Sequence, residues 1–177
     1  ILSLLGENGS GKTTLMNMIS GIYFPDEGHI LVDGKAVSIR SPKDSFDLGI
    51  GMIHQHFKLI DVMTAAENII LGLKGNAVLD MKVYTMSVSQ KQTVEIVKML
   101  YRGANILILD EPTAVLTPQE VDKLFEVLRN MRDDGRAIII ITHKLNEVLE
   151  LSDRVAILRK GKYIGTLQTS EATVESL

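Results

Sequence analysis

The chain has 177 residues, about the size of one domain, and its 45% hydrophobic and 23% charged side chains are typical of an ordinary globular protein. Its net charge is −3 and it has no basic cluster, which argues against a nucleic-acid-binding protein, because neutralising phosphates requires a surplus of positive charge. The absence of cysteine excludes disulfides and zinc–thiolate sites, and the longest apolar runs are about five residues, far short of the roughly 20 that cross a bilayer.

The first half of the chain alternates between short apolar runs and helical patterns. In chain order, the predicted elements are a strand over Ile1–Leu5, a helix over Lys12–Ser20, strands over His29–Val32, Lys35–Ile39 and Ile50–His54, and helices over Thr64–Leu73 and Ser89–Tyr101. Asp33-Gly34 predicts a type I′ hairpin turn, because both turn positions require positive φ. In the last of these helices, Val94, Val97 and Tyr101 stand at helical spacing.

The second half of the chain is more regular. Its predicted elements are a strand over Ile106–Leu109, a helix from Thr117 to the stop at Gly135, a strand over Ala137–Thr142, a helix over Lys144–Leu151, and a strand pair over Arg154–Arg159 and Lys162–Leu167. Thr117-Pro118-Gln119-Glu120 has the form of a helix start, with an N-cap Thr, a Pro at the first position and a Glu three residues after the cap. Apolar strands alternating with helices predict an α/β fold with a parallel sheet covered on both faces.

A glycine-rich loop joins the first strand to the first helix. Residues 6–13 fit the pattern G-x-x-x-x-G-K-[ST], in which glycines let backbone N–H groups surround a β-phosphate. Lys12 places a cation between the β- and γ-phosphates, and the helix that begins there directs its positive end at them. The alternative, a strand–helix turn with a chance lysine, is disfavoured by the position of the motif between a strand and a helix. The residues predicted to bind the nucleotide are Gly6, Glu7, Asn8, Gly9, Ser10, Gly11, Lys12, Thr13 and Thr14.

Two acids, Asp110 and Glu111, follow the apolar run Ile106–Leu109. Neighbouring side chains on a strand point in opposite directions, but at the strand end the chain turns and both can approach the phosphate loop. We expect Asp110 and the Thr13 hydroxyl to hold Mg²⁺, and Glu111 to polarise the water that attacks the γ-phosphate. A solvated strand end is the alternative, and the presence of the phosphate loop favours the catalytic interpretation.

Two further polar residues end predicted strands. His143 follows the strand Ala137–Thr142, where its imidazole can hydrogen-bond the γ-phosphate and the attacking water. Gln55 can offer an amide oxygen to the Mg²⁺ ion or to the water. We interpret the flanking His54 and His56 as ordinary polar residues.

The order of these motifs resembles the nucleotide-binding domain of ABC transporters over nearly the whole chain. The phosphate loop is followed by Gln55, then by a signature segment of Ser87, Val88, Ser89 and Gln90, then by the acid pair and His143. The resemblance implies the ABC type of P-loop ATPase fold, with a mostly parallel core sheet, a small antiparallel part and a helical subdomain at about 58–100. Residues 49–57, 66–69 and 110–118 are similar to the importers of simple sugars and nucleosides, and to the first of their two fused halves.

The resemblance also implies a mechanism and partners. Two such domains pair head to tail, and each ATP with its Mg²⁺ lies between the phosphate loop of one and the signature segment of the other. ATP hydrolysis then drives a transmembrane permease that receives its solute from an extracytoplasmic binding protein. The domain would lie at the cytoplasmic face of the membrane as a peripheral protein. Whether the second domain belongs to the same polypeptide or to a homodimer mate stays open.

Several positions depart from the family pattern. Met86 replaces a Leu, Ser89 stands where the second signature Gly is expected, Thr93 replaces an Arg, and Thr117 replaces an Asp. A Cβ at position 89 is expected to crowd the γ-phosphate of the partner's ATP, which leaves open an ATP-binding half with weak hydrolysis. A soluble ABC ATPase of translation or DNA repair is the other alternative, although the segment His-Gln-His-Phe at 54–57 favours an importer. The sequence has no Asn-Lys-x-Asp segment that would bind a guanine base, which argues against a GTPase.

The family has a strand pair before Ile1 and a longer helical subdomain. We therefore expect the domain to be incomplete at its N-terminus. Between Gln55 and the signature segment the chain is short, either because the protein has lost helices or because residues are missing from this sequence, and we favour the second alternative. Residues 75–86 are weakly patterned, and the stretch Asp80 to Met86 has the form of a junction between distant segments.

Overall fold

A computed structural model describes residues 1–54, 58–70 and 81–173. The strands are β1 Leu2–Leu5, β2 Ile30–Val32, β3 Lys35–Val37, β4 Ile50–Ile53, β5 Ile106–Asp110, β6 Ala137–Thr142, β7 Arg154–Arg159 and β8 Lys162–Gln168. The α-helices are α1 Lys12–Ile19, α2 Pro42–Asp47, α3 Ala65–Ile70, α4 Val88–Tyr101, α5 Pro118–Asp133 and α6 Leu145–Leu151, and short 3₁₀ helices cover Val83–Thr85 and Thr169–Glu171.

Six strands form one sheet in the order β4-β5-β6-β1-β7-β8. The first five are parallel, and β8 runs antiparallel to β7. Alternate residues of β5 pack on opposite faces, with Leu107 and Leu109 against Phe125 of α5 and Ile108 in the layer that contains Met16 of α1. The sheet is therefore covered on both faces, and the predicted α/β class is confirmed.

Two hairpins turn on pairs of residues with positive φ. β2 and β3 form a separate two-stranded sheet joined by Asp33 (φ 51°) and Gly34 (φ 75°), which confirms the predicted turn. Lys160 (φ 49°) and Gly161 (φ 75°) join β7 to β8 in the same way.

The predicted start of α5 is confirmed. The Glu120 carboxylate accepts a hydrogen bond from the Thr117 backbone N–H at 3.0 Å, and Pro118 occupies the first helical position. The apolar stripe of this helix is buried, and it comprises Leu124, Phe125, Leu128 and Met131.

The structure also contains α2, a short helix that the sequence patterns did not predict. Ser41 caps it by accepting a hydrogen bond from the Asp44 backbone N–H at 3.3 Å. β3 ends at Val37 rather than at Ile39, although Ile39 is still buried in the core. The end of the helix predicted over Thr64–Leu73 lies outside the described residues, as do residues 75–80 of the weakly patterned stretch.

The buried face of α4 differs from the one that its apolar spacing suggested. Val94 is buried, but Val97 and Tyr101 are 40% and 59% exposed. Three of the buried residues are polar and stand at positions i, i+3 and i+6, namely Gln92, Glu95 and Lys98. We call these three residues the polar row of α4. Within the part of the chain that the structure describes, no helix has the length and apolar character needed to span a membrane.

Candidate functional site

Apart from the signature segment, the predicted site residues in the described part of the chain lie at the carboxyl ends of three adjacent parallel strands. The phosphate loop, residues 6–13, follows β1, and the acid loop, residues 110–117, begins at the end of β5. His143 follows β6, which lies between these two strands. Parallel strands end at the same edge of a sheet, so all three segments meet there. The phosphate loop and the acid pair border a cleft of about 350 Å³ lined by residues 8–14, Asp110 and Glu111.

The backbone of the phosphate loop leaves no room for a side chain at its first position. A Cβ on Gly6 would lie 2.4 Å from the Leu158 carbonyl oxygen and 2.5 Å from Ser10 Oγ. Gly9 and Gly11 have φ of 79° and 94°, a conformation that glycine adopts without steric cost. These constraints explain why the loop carries glycine at all three positions.

Lys12 is folded back over the phosphate loop. Its Nζ donates to the Gly6 carbonyl at 2.6 Å and to the Glu7 carbonyl at 2.9 Å, and the residue is only 6% exposed. The Ser10 hydroxyl is buried and has no hydrogen-bond partner among the described residues. Since α1 begins at Lys12, its free N–H groups and the Lys12 ammonium together make this loop a site for an anion such as a phosphate.

Asp110 is 9% exposed, and its environment raises the pKa of its carboxyl group. Burial is the main cause and the neighbouring charge of Glu111 adds to it, whereas the Thr13 hydroxyl, which hydrogen-bonds the carboxylate, and the charge of Lys12 lower the pKa. A hydroxyl and a carboxylate beside a phosphate site are the hard oxygen ligands that Mg²⁺ prefers, so the residues present fit this metal.

Glu111 contacts His143 directly. His143 Nδ1 lies 2.7 Å from Glu111 Oε1, and the Glu111 backbone N–H donates to the Ile141 carbonyl at 3.0 Å. Glu111 has a φ of 47°, a left-handed conformation that costs a non-glycine residue roughly 1–2 kcal/mol. The structure thus places a carboxylate and an imidazole in contact at the edge of the cleft, and their catalytic roles stay predictions.

The signature segment forms the first turn of α4. Ser87 is the N-cap, its Oγ accepts from the Gln90 backbone N–H at 3.3 Å, and the Gln90 side chain accepts from the Ser87 N–H at 2.9 Å. Val88 is 38% exposed. Ser89 Oγ donates to Glu120 Oε1 in α5 at 2.7 Å. No residue of the signature segment is among the described residues that line the phosphate cleft.

Gln55 lies outside the described residues, and so does His56. His54 ends the described stretch before them, and burial, with a smaller effect of the Lys58 charge, lowers its pKa. The described chain resumes at Lys58, whose backbone is held by two side chains of α4. Glu95 Oε1 accepts from the Lys58 N–H at 3.1 Å, and Lys98 Nζ donates to the Lys58 carbonyl at 3.3 Å.

Sequence reasoning missed several side chains that contact the acid loop. Gln92 Nε2 donates to the Pro112 carbonyl at 3.0 Å, and the Thr113 hydroxyl donates to Glu147 of α6, 2.7 Å from both carboxylate oxygens. Lys144 Nζ donates to the Thr113 carbonyl at 3.3 Å. Neither Gln92 nor Glu147 belongs to a motif, so no local signal pointed to them.

A glycine-rich loop after the central strand of a parallel sheet, with an acid pair after a nearby strand, defines a P-loop nucleotide-binding domain. The profile of the family described as ABC transporter matches residues 1–114. The chain belongs to the ABC transporter family.

Curated relatives agree with this assignment. The chain is 45% identical to the nucleoside import ATP-binding protein NupA of Lactococcus lactis subsp. cremoris, with 100% of the chain and 40% of the relative covered. It is 47% identical to the guanosine import ATP-binding protein NupO of Bacillus subtilis (100% and 39% covered), and 42% identical to the ribose import ATP-binding protein RbsA 2 of Escherichia coli O157:H7 (94% and 38% covered). The chain thus spans about two fifths of the length of these relatives.

Solved structures confirm the fold. The structure of cbiO1 from Clostridium perfringens, part of the ABC transporter complex cbiONQ, matches with a TM-score of 0.83 and 28% identity, covering 96% of this chain and 77% of that one. An ATP-binding cassette of an ABC transporter in its ADP conformation matches with a TM-score of 0.86 over 95% of this chain and 80% of that one. Its identity of 24% supports the fold alone. The predicted ABC ATPase fold is therefore confirmed.

Proposed function

We propose that this chain binds and hydrolyses ATP to power the import of nucleosides or simple sugars by an ABC transporter. The observation that carries the proposal is the meeting of the phosphate loop, Asp110 and the Glu111–His143 pair at one edge of the sheet. An anion site beside a carboxylate–imidazole pair suits phosphoryl transfer to water, because the chain can hold the triphosphate and orient the attacking water.

The residues divide this work as follows. The phosphate loop and Lys12 bind the β- and γ-phosphates, Glu111 accepts a proton from the attacking water, and His143 orients Glu111 and contacts the γ-phosphate. Thr13 and Asp110, together with Gln55, would hold a Mg²⁺ ion, which when bound neutralises charge on the phosphate oxygens.

The second half of each ATP site comes from another ATPase domain. Ser87, Val88, Ser89 and Gln90 form a helix start with an N-cap hydroxyl, which suits a γ-phosphate, but they do not line this chain's own cleft. They would therefore serve the ATP bound by the partner domain. The length of the curated relatives leaves room for a second half in the same polypeptide.

The membrane partner is a permease, and the domain would bind it at the cytoplasmic face of the membrane. A cleft of about 460 Å³ between α2, β4 and α4 offers a place for a permease segment, and its lining combines basic and apolar residues that include Lys43, Lys58, Phe46, Met52 and Met99. A solute-binding protein would act on the permease and have no direct contact with this chain.

We also propose that residues 1–177 form one ATPase domain whose helical subdomain, at about 58–100, is shortened. The alignment with NupA is compatible with a shortened domain, since it extends over 201 positions although the chain has 177 residues. Aligned positions of the relative thus lack a counterpart here.

The Glu111→Gln variant of the full-length protein tests the catalytic assignment. We expect ATP turnover to fall by about 100-fold or more while ATP binding is retained, because the amide keeps the size of the side chain but cannot accept the proton. Glu126→Gln on the exposed side of α5 is the matched control and should leave turnover unchanged. Normal turnover in Glu111→Gln would remove Glu111 as the base, and a native protein that binds ATP without hydrolysing it would identify a weakly hydrolysing half.

Uptake assays with nucleosides and pentoses would then identify the solute.

A further inference from the structure

We propose that Gln92 of α4 and Glu147 of α6 are positioning residues that hold Glu111 in its catalytic conformation. The inference rests on the proposed function, because it takes Glu111 as the base for ATP hydrolysis. Neither residue reaches the phosphate cleft, so both act through the backbone and side chain of the acid loop.

The conformation of Glu111 requires such support. Its φ of 47° lies in the left-handed region, which a β-carbon disfavours, and a residue persists there only when its surroundings fix the neighbouring backbone. The residues that follow, Pro112 and Thr113, are both buried, so their polar groups need partners within the protein.

Gln92 supplies the partner for the first of these residues. It is 3% exposed, and its Nε2 donates to the Pro112 carbonyl at 3.0 Å, one residue beyond Glu111. A buried amide contributes most when its removal leaves the opposite group unpaired, as it would leave the Pro112 carbonyl here. The bond therefore fixes the backbone at the point where the chain leaves the strained residue.

Glu147 of α6 holds the next residue of the acid loop, Thr113. Its carboxylate accepts from the Thr113 hydroxyl at 2.7 Å and pairs with Lys144 Nζ at 2.9 Å, and Lys144 in turn donates to the Thr113 carbonyl at 3.3 Å. Both Lys144 and Glu147 lie within four residues of His143. The contacts made by Glu147 thus tie the residue two positions after Glu111 to the segment that carries the imidazole.

The experiment measures ATP turnover by the full-length protein and its variants. We expect Gln92→Met, which keeps the side-chain volume but cannot donate, to lower kcat by about tenfold or more with the KM for ATP changed less than about twofold, because a misplaced base slows chemistry more than binding. Glu147→Ala should act in the same way. Glu147→Gln should keep near-native turnover, because its amide oxygen still accepts from the Thr113 hydroxyl. The matched controls, Val97→Met on the exposed face of α4 and Glu150→Ala on α6, should have native kcat.

A double variant separates positioning from a general structural role. In the Glu111→Gln background, Gln92→Met or Glu147→Ala should cause no further loss, since a residue that acts through Glu111 has nothing left to position. The same fold loss in both backgrounds would overturn the proposal, and so would native kcat in Gln92→Met and Glu147→Ala. If Gln92→Met fails to fold, the Glu147 variants decide the question alone. Normal turnover in Glu111→Gln itself would instead overturn the proposed function, so the two failures are distinguishable.

Discussion

The phosphate loop and the acid loop lie at the same edge of the sheet, but different kinds of contact hold them. The phosphate loop is stabilised largely by its own residues, since Lys12 donates to Gly6 and Glu7 and the Ser10 N–H donates to the Glu7 carbonyl at 3.1 Å. The acid loop is held by Gln92 and Glu147, which are 20 and 34 positions away from their partners in the sequence. Most hydrogen bonds of the phosphate loop are therefore local in the sequence, whereas the conformation of the acid loop depends on the packing of distant helices.

The largest expected effect concerns the close packing of the phosphate loop against β7. In Gly6→Ala the new methyl group would lie 2.4 Å from the backbone oxygen of Leu158, which cannot move aside cheaply. We expect destabilisation by about 1–3 kcal/mol and loss of most ATP binding, measured by thermal unfolding and by titration with a fluorescent ATP analogue. Gly165→Ala in β8 is the control, because no atom lies within 4 Å of its added Cβ. Unchanged ATP affinity in Gly6→Ala would show that the loop tolerates displacement.

A smaller change, here an increase in stability, is expected from a substitution of Asp110 at the start of the acid loop. Because the pKa of Asp110 is raised in the folded protein, its carboxyl favours folding below its ordinary value of 3.8, and this contribution is lost as the pH rises through the folded pKa. At neutral pH the buried charge beside Glu111 therefore opposes folding of the nucleotide-free protein. We expect Asp110→Asn to raise Tm by a few degrees at pH 7 in EDTA and to abolish Mg²⁺-dependent turnover.

The pH dependence of that Tm difference checks the physical cause. The gain in Tm from Asp110→Asn should shrink as the pH falls from neutrality toward 4, since the native carboxyl then becomes protonated. A variant that is less stable than the native protein at every pH would contradict the assignment of burial as the main cause.

The smallest expected effect concerns the link between the signature segment and the helix that follows the acid loop. The pKa of Glu120 is lowered first by the Thr117 backbone N–H and then by the Ser89 hydroxyl. Ser89→Gly removes the second of these and places glycine in a helix, so we expect a small destabilisation at pH 7 and a rise in the pKa of Glu120 measured by NMR titration.

The same titration contains its own control. The pKa of Glu67 is lowered mainly by the Thr64 backbone N–H, which Ser89→Gly does not touch, so it should not change. A lowered carboxylate pKa stabilises the fold above the ordinary pKa, and this contribution is lost as the pH falls through the folded pKa. The stability difference between Ser89→Gly and the native protein should therefore decrease in acid. An unchanged pKa of Glu120 would show that the Ser89 hydrogen bond is absent in solution.

The features that could be predicted from the sequence are those whose causes lie within a few residues. The phosphate loop, the Asp33-Gly34 turn and the capped start at Thr117-Pro118 each depend on neighbouring residues with a definite conformational preference. The parallel sheet was also predictable, because apolar runs alternate with helices along the chain. The edge at which the site lies follows from that sheet.

The features that could not be predicted depend on contacts between distant segments or on elements too short to show a period. α2 has six residues, and its only signals are the cap at Ser41 and the proline that follows it. Gln92, Glu95 and Lys98 are polar and would ordinarily face solvent, but their partners are backbone groups of Lys58 and Pro112 and neighbouring side chains of the row. Such partners are invisible in a single sequence, because backbone groups carry no residue identity.

The position of β1 in the sheet has a consequence for the order in which the protein assembles on the ribosome. β1 is the first described strand in the chain, yet its neighbours are β6 and β7, with Leu2 opposite Ile139 and Arg154. The phosphate loop therefore leaves the ribosome before the two strands that flank β1, and more than a hundred further residues must be made before both strands are available. Such nonlocal pairing slows folding and lengthens the exposure of apolar strands. Nucleotide capture should thus be one of the last events in the maturation of this domain, and a nascent chain that stops before β7 should be a substrate for chaperones.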